Sequence, residues 1–209
     1  MNTIKKISSR LLAIFLLVGF FFTIEDKPAS AFDFMDAAAI GGAYTAHLFL
    51  HELGHHIVAN DVGADSPQMS FFTQKTGNFY LGLSSCKSIP NESKLPYAIG
   101  GERMSGYTFE YALNSYKYNP TTFNKALMFF SCADFLAYTL LANYVAPDEK
   151  TYDPNLIREE TGCSKELLLS LVLAKSLLNT YRIFNQDTNL VPIILLDKNS
   201  AVLMFRFSF

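Results

Sequence analysis

The sequence predicts a mainly helical protein with small β-hairpins, and three observations carry that expectation. Long apolar stretches with few charges are bounded by residues that cap or stop helices. Two pairs of short runs rich in aromatic or aliphatic residues are each joined by a few turn residues. Half of the 209 residues are hydrophobic, 14% are aromatic and only 17% are charged, which suits one well-packed body and leaves too little chain for two large domains.

At the N-terminus Lys5, Lys6 and Arg10 precede an uncharged, mostly apolar run from Leu11 to Ile24, followed by Ala29-Ser30-Ala31. This is the basic region, apolar region and small-residue cleavage site of a secretory signal. The run is 14 residues long, short of the roughly 20 needed to cross a bilayer comfortably. Residues 1–31 are therefore expected to be removed as a signal peptide, with an uncleaved anchor as the alternative, and residues 32–209 to form a single domain. Loss of Lys5, Lys6, Arg10, Lys27, Glu25 and Asp26 would take the net charge from −2 to −4. A mildly acidic chain without a Lys/Arg cluster gives no reason to expect nucleic acid as a partner. The expected location is exported, either periplasmic or membrane-associated.

From Phe34 to about Asn60 the residues favour helix, small ones first (Ala37, Ala38, Ala39, Gly41, Gly42), as suits close packing on a neighbour. Gln68 to Gln74 and Asn78 to Ser85, around Lys75-Thr76-Gly77, read as a β-hairpin. A loop containing Pro90 and Pro96 leads to a second helix, about Tyr97 to Tyr116, and Asn119-Pro120-Thr121 stops one helix and restarts the next. The third helix, about Thr122 to Ala146, holds one charge, Asp134, between Ala126 and Ala146. It suits a bilayer span and the centre of a domain equally well. Asp153-Pro154 opens a short helix ending near Gly162, and Ser164 is a natural N-cap for another, about Lys165 to Phe184. Val191 to Leu196 and Ala201 to Phe207, joined by Asp197-Lys198-Asn199-Ser200, make a terminal hairpin. Cys86, Cys132 and Cys163 match no paired-cysteine metal pattern; in an oxidising compartment Cys86 with Cys163 is the favoured disulfide, because Cys132 lies in the most apolar part of the chain.

All four histidines fall within ten residues: His47, His51, His55 and His56. Positions four apart on a helix lie about 40° from each other around its axis, so His51 and His55 can aim both imidazoles at one ion. Glu52 projects about 100° away from His51, beside such an ion rather than onto it. Zinc lowers the pKa of a bound water towards neutrality, and a carboxylate so placed can take its proton as the water attacks a polarised peptide carbonyl. By accident this three-residue pattern would arise on the order of one time in a hundred in a chain this long. His47 is expected to orient the site or to pack, and His56 to face elsewhere.

Catalytic zinc usually keeps three protein ligands. The acidic candidates for the third are Asp134, Glu102 and Glu110; Asp134 leads, since an acid within a long apolar helix is costly unless paired or metal-bound. Two imidazoles and a carboxylate would also suit iron, cobalt or nickel. A different class of function is a non-catalytic zinc-binding secreted module, or an inactive protease relative. An intact Glu52 speaks against that, because a purely structural site has no use for it.

His51-Glu52-Leu53-Gly54-His55 resembles the zincin metallopeptidase signature, and its surroundings look most like the site-2-protease group of membrane metalloproteases. In that group a signature helix is followed by a β-hairpin, a helix with an Ala-Gly-Pro-like opening, and a membrane helix bearing an Asp ligand. Here the hairpin spans residues 68–85, Ala98-Ile99-Gly100-Gly101 opens the next helix, and Asp134 follows His55 by 79 residues. The likeness covers roughly residues 40–145. The group's Pro-x-Asp-Gly type of ligand segment is absent; Asp134 sits in Ser131-Cys132-Ala133-Asp134-Phe135. The resemblance implies a zincin-like helical core, His51 and His55 as Zn2+ ligands, Glu52 as general base, and a protein or peptide substrate, one that membrane association could bring within reach.

Overall fold

A computed structural model of the protein describes residues 33–75 and 78–207. The expected signal segment lies outside them. In chain order the elements are α1 (Phe34–Asp61), the hairpin β1 (Gln68–Lys75) and β2 (Asn78–Ser85), α2 (Lys94–Ala98), α3 (Gly100–Tyr118), α4 (Thr122–Leu140), α5 (Asp153–Thr161), α6 (Lys165–Asn185), and a second hairpin, β3 (Leu190–Asp197) with β4 (Ser200–Phe207). Both hairpins are separate two-stranded antiparallel sheets, β1 pairing with β2 and β3 with β4. The expected mainly helical class with two small hairpins is observed.

Local chemistry sets most boundaries. The Asp33 carboxylate accepts from Asp36 N–H at 2.9 Å and caps α1; Thr121 and Ser164 do the same for α4 and α6. Proline in the first turn starts α5, and Gly162, at φ 68°, ends it in the left-handed conformation. One expected boundary is different. The second helix was expected from about Tyr97; the chain instead ends the short α2 at Ala98 and bends at Ile99 before α3 begins at Gly100. The bend seats Gly100 against the α1 backbone: a Cβ on Gly54 would stand 2.3 Å from Gly100 O. Only glycine permits that approach.

The long apolar helix α4 sits at the centre, packed against α1, α3 and α6, with the unbroken stretch Ala126 to Cys132 buried among Ala43, Phe109 and Leu113. It ends in a π-helical turn, Leu141–Val145. A second apolar cluster joins Leu95, Ile99, Phe135, Ile157, Leu168 and Val172 across α2, α4, α5 and α6. The three cysteines are free thiols; Cys132 is buried beside the Ser176 carbonyl, and the expected Cys86–Cys163 disulfide is not formed.

Two ion pairs tie α6 to α3. Lys175 pairs with Glu102, and Arg182 makes a bidentate pair with Glu110, 2.7 Å on each arm. Arg182 is fully buried; it also bonds Asn179 Oδ1 at 3.0 Å and Asp187 O at 3.1 Å, and lies over the Phe109 ring. Removing one partner of such a pair strands a charge in the core. Glu110→Ala is therefore expected to destabilise the chain by about 3–5 kcal/mol, read from a chemical denaturation midpoint.

Candidate metal centre

The one-turn spacing of His51 and His55 on α1 brings their Nε2 atoms to 3.2 Å from each other, with both rings buried. The far nitrogens fix the tautomers. His55 Nδ1 donates to Tyr97 O at 2.7 Å, and a carbonyl can only accept. His51 Nδ1 donates to Asp134 Oδ2 at 2.9 Å, and Ser105 Oγ bonds the same carboxylate oxygen at 3.2 Å. In neutral rings both Nε2 atoms then present lone pairs to each other across 3.2 Å, an arrangement that calls for a positive charge nearby.

The third group at this point is Asp153, whose Oδ2 lies 3.2 Å from His55 Nε2 and 3.6 Å from His51 Nε2. It occupies the first helical position of α5; the N-cap is Tyr152, so the Asp153 carboxylate turns to the histidines rather than capping its own helix. Ligand atoms about 2.0–2.2 Å from a tetrahedral zinc lie roughly 3.3–3.6 Å apart, and the separations here fit. Two imidazoles and one carboxylate are a donor set suited to zinc.

The acids expected from sequence fall elsewhere. Asp134, put forward as third ligand, lies against the far nitrogen of His51 and 3.4 Å from His47 Nε2. His47, His51 and Asp134 form a second acid–imidazole group that could hold a metal ion; within it the 2.9 Å between His51 Nδ1 and Asp134 Oδ2 has the length of a hydrogen bond. Glu102 and Glu110, the alternatives, are held by Lys175 and Arg182. His47 is buried at the inner end of the cluster, in line with the expected orienting or packing role, while His56 takes no part in either acid–imidazole group. Asp153 was not among the acids singled out from the sequence, because Asp-Pro already had a sufficient local explanation as a helix start.

Glu52 faces strand β2, where its Oε2 accepts from Ser84 N–H at 2.6 Å. Gly82 makes room for it: a Cβ there would stand 2.8 Å from Glu52 Oε1. Burial raises the Glu52 pKa, and the neighbouring His51 and His55 offset part of that rise. Burial alone would lower His51; the Asp134 and Asp153 carboxylates outweigh it and hold His51 well above its ordinary value. Asp134 shows the converse, burial opposing and the His51 and His47 charges prevailing, so that it stays well below the usual carboxylate range.

Gly101 closes the floor. A methyl there would stand 2.4 Å from His55 Nε2 and 2.5 Å from His51 Nε2. Gly101→Ala is expected to weaken zinc binding at least as much as loss of an outer hydrogen-bond partner does, about 10–100-fold, in a competition titration against a chelating dye.

No protein-family model matches the chain, and neither a curated protein nor a solved structure matches it.

Proposed function

We propose that the protein is a zinc-dependent metallopeptidase of the zincin class, exported or membrane-associated, acting on protein or peptide substrates. The observation that carries this reading is the meeting of His51 Nε2, His55 Nε2 and Asp153 Oδ2 at one point, with the Glu52 carboxylate one residue from the first of them. His51, His55 and Asp153 would hold the ion; bound there, zinc would polarise the scissile carbonyl and acidify a water.

The chain's own residues do the rest. Tyr97 O and Asp134 hold the two imidazoles in the tautomer that leaves Nε2 free, and Ser105 steadies Asp134. Ser84 N–H fixes one oxygen of Glu52, leaving Oε1 to accept the proton of the attacking water and pass it to the departing amine. The raised Glu52 pKa suits both halves of that transfer.

The test is elemental analysis of the purified chain together with hydrolysis of an unfolded protein substrate, before and after chelation and zinc replacement. Near-stoichiometric zinc with chelator-sensitive cleavage supports the peptidase. Zinc without cleavage would point to a non-catalytic zinc module, and a well-folded chain without metal would refute both.

A further inference from the structure

Helix α6 is built the wrong way round for a surface in water. In mean hydropathy it matches the central helix α4 taken with its π-helical turn, yet only 28% of its apolar stretch is buried, against 61% there. Its outward residues Leu167, Leu173, Leu177, Tyr181 and Phe184 are exposed by 43 to 61%. They follow one another every three to six positions, so they form one stripe about 26 Å long at ~1.5 Å per residue. The cations of the same stretch, Lys175 and Arg182, turn inward onto Glu102 and Glu110, and Ser176 and Asn179 are buried with them. A water-facing helix shows the opposite polarity, apolar side in and charges out. Charges that face the bundle interior and pair there, beneath an apolar exterior, are the pattern of a helix in contact with lipid.

We infer that this face of α6 packs against the acyl chains of a phospholipid bilayer. Exposed polar groups bracket the stripe, Lys165 and Glu166 before it and Asn185 and Gln186 after it, where headgroups and water would meet them. Between them Ser170 and the Tyr181 hydroxyl are the only exposed polar side-chain groups, so a protein partner would find little to hydrogen-bond and no charge to pair with. Helix α1 likewise begins with apolar side chains outside, Phe34 and Met35 exposed by 83 and 70%. The inference stands independently of the metal centre.

The sequence contains no tryptophan, so one introduced tryptophan is a unique probe. Leu177→Trp and, as control, Asp61→Trp at the exposed end of α1 are made in the full chain and mixed with phosphatidylcholine–phosphatidylglycerol vesicles carrying acyl-brominated lipid. The expected result is a blue shift of Leu177→Trp on adding vesicles, with quenching several-fold stronger than for Asp61→Trp. Equal quenching of the two would overturn the inference, because the upstream apolar run alone would then account for vesicle binding. Blue-shifted, unquenched emission from Leu177→Trp would also overturn it, since a second copy or the chain's own leading segment would be covering the face. Paired Leu173→Glu and Leu177→Glu changes should weaken vesicle binding while zinc content, measured on the same samples, stays unchanged.

Discussion

Replacing Asp153 with alanine is expected to leave a folded chain that no longer retains zinc through purification and no longer cleaves substrate. The carboxylate contributes one of three donors at the point where the two Nε2 atoms meet, and a catalytic zinc site seldom survives with two. Asp134→Ala removes the acceptor on the far nitrogen of His51, along with the partner of His47 and Ser105, but no donor at the point where the Nε2 atoms meet, so zinc should still load at saturation, with affinity lower by about 10–100-fold. Elemental analysis of the two variants side by side decides between them. Zinc kept in Asp153→Ala and lost in Asp134→Ala would return the ligand role to the acid within the apolar helix.

Glu52→Gln should produce the opposite split. The amide oxygen can still accept from Ser84 N–H, and the side chain is nearly the same size, so the hairpin contact and the bound zinc should both persist. What is lost is a group able to take a proton, a contribution of about 10²–10⁴ in rate. Full zinc with turnover reduced by at least that much would place Glu52 in the chemistry. Unchanged turnover would remove it from the mechanism.

Most of the helices and both hairpins were legible in the sequence because their boundaries are local: Asp33, Thr121 and Ser164 cap with their own side chains, and Gly162 ends α5 by its own backbone freedom. The bend at Ile99 was not legible, because it depends on Gly54 lying against Gly100 from another helix. Nor was the setting of α4, since an apolar run has the same composition whether protein or lipid surrounds it. The histidine pair could be read because a helix fixes the relation between residues four apart. The approach of Asp153 to that pair could not, because nothing local distinguishes Asp153 from an ordinary helix start, and Asp134 carried the more conspicuous energetic cost. That cost is met in another way, by hydrogen bonds to His51 and Ser105.

The distance along the chain between His55 and Asp153 would give a bound ion a second consequence. They are 98 residues apart, and between them run the first hairpin and helices α2, α3 and α4. An ion held by both ends would act as a clasp on that whole segment. In chain-entropy terms, joining the ends of a loop of about a hundred residues removes freedom from the unfolded chain worth roughly 4–5 kcal/mol for a permanent link. A chelator would thus disarm the chemistry and, in the same step, leave the chain folded but easier to unfold.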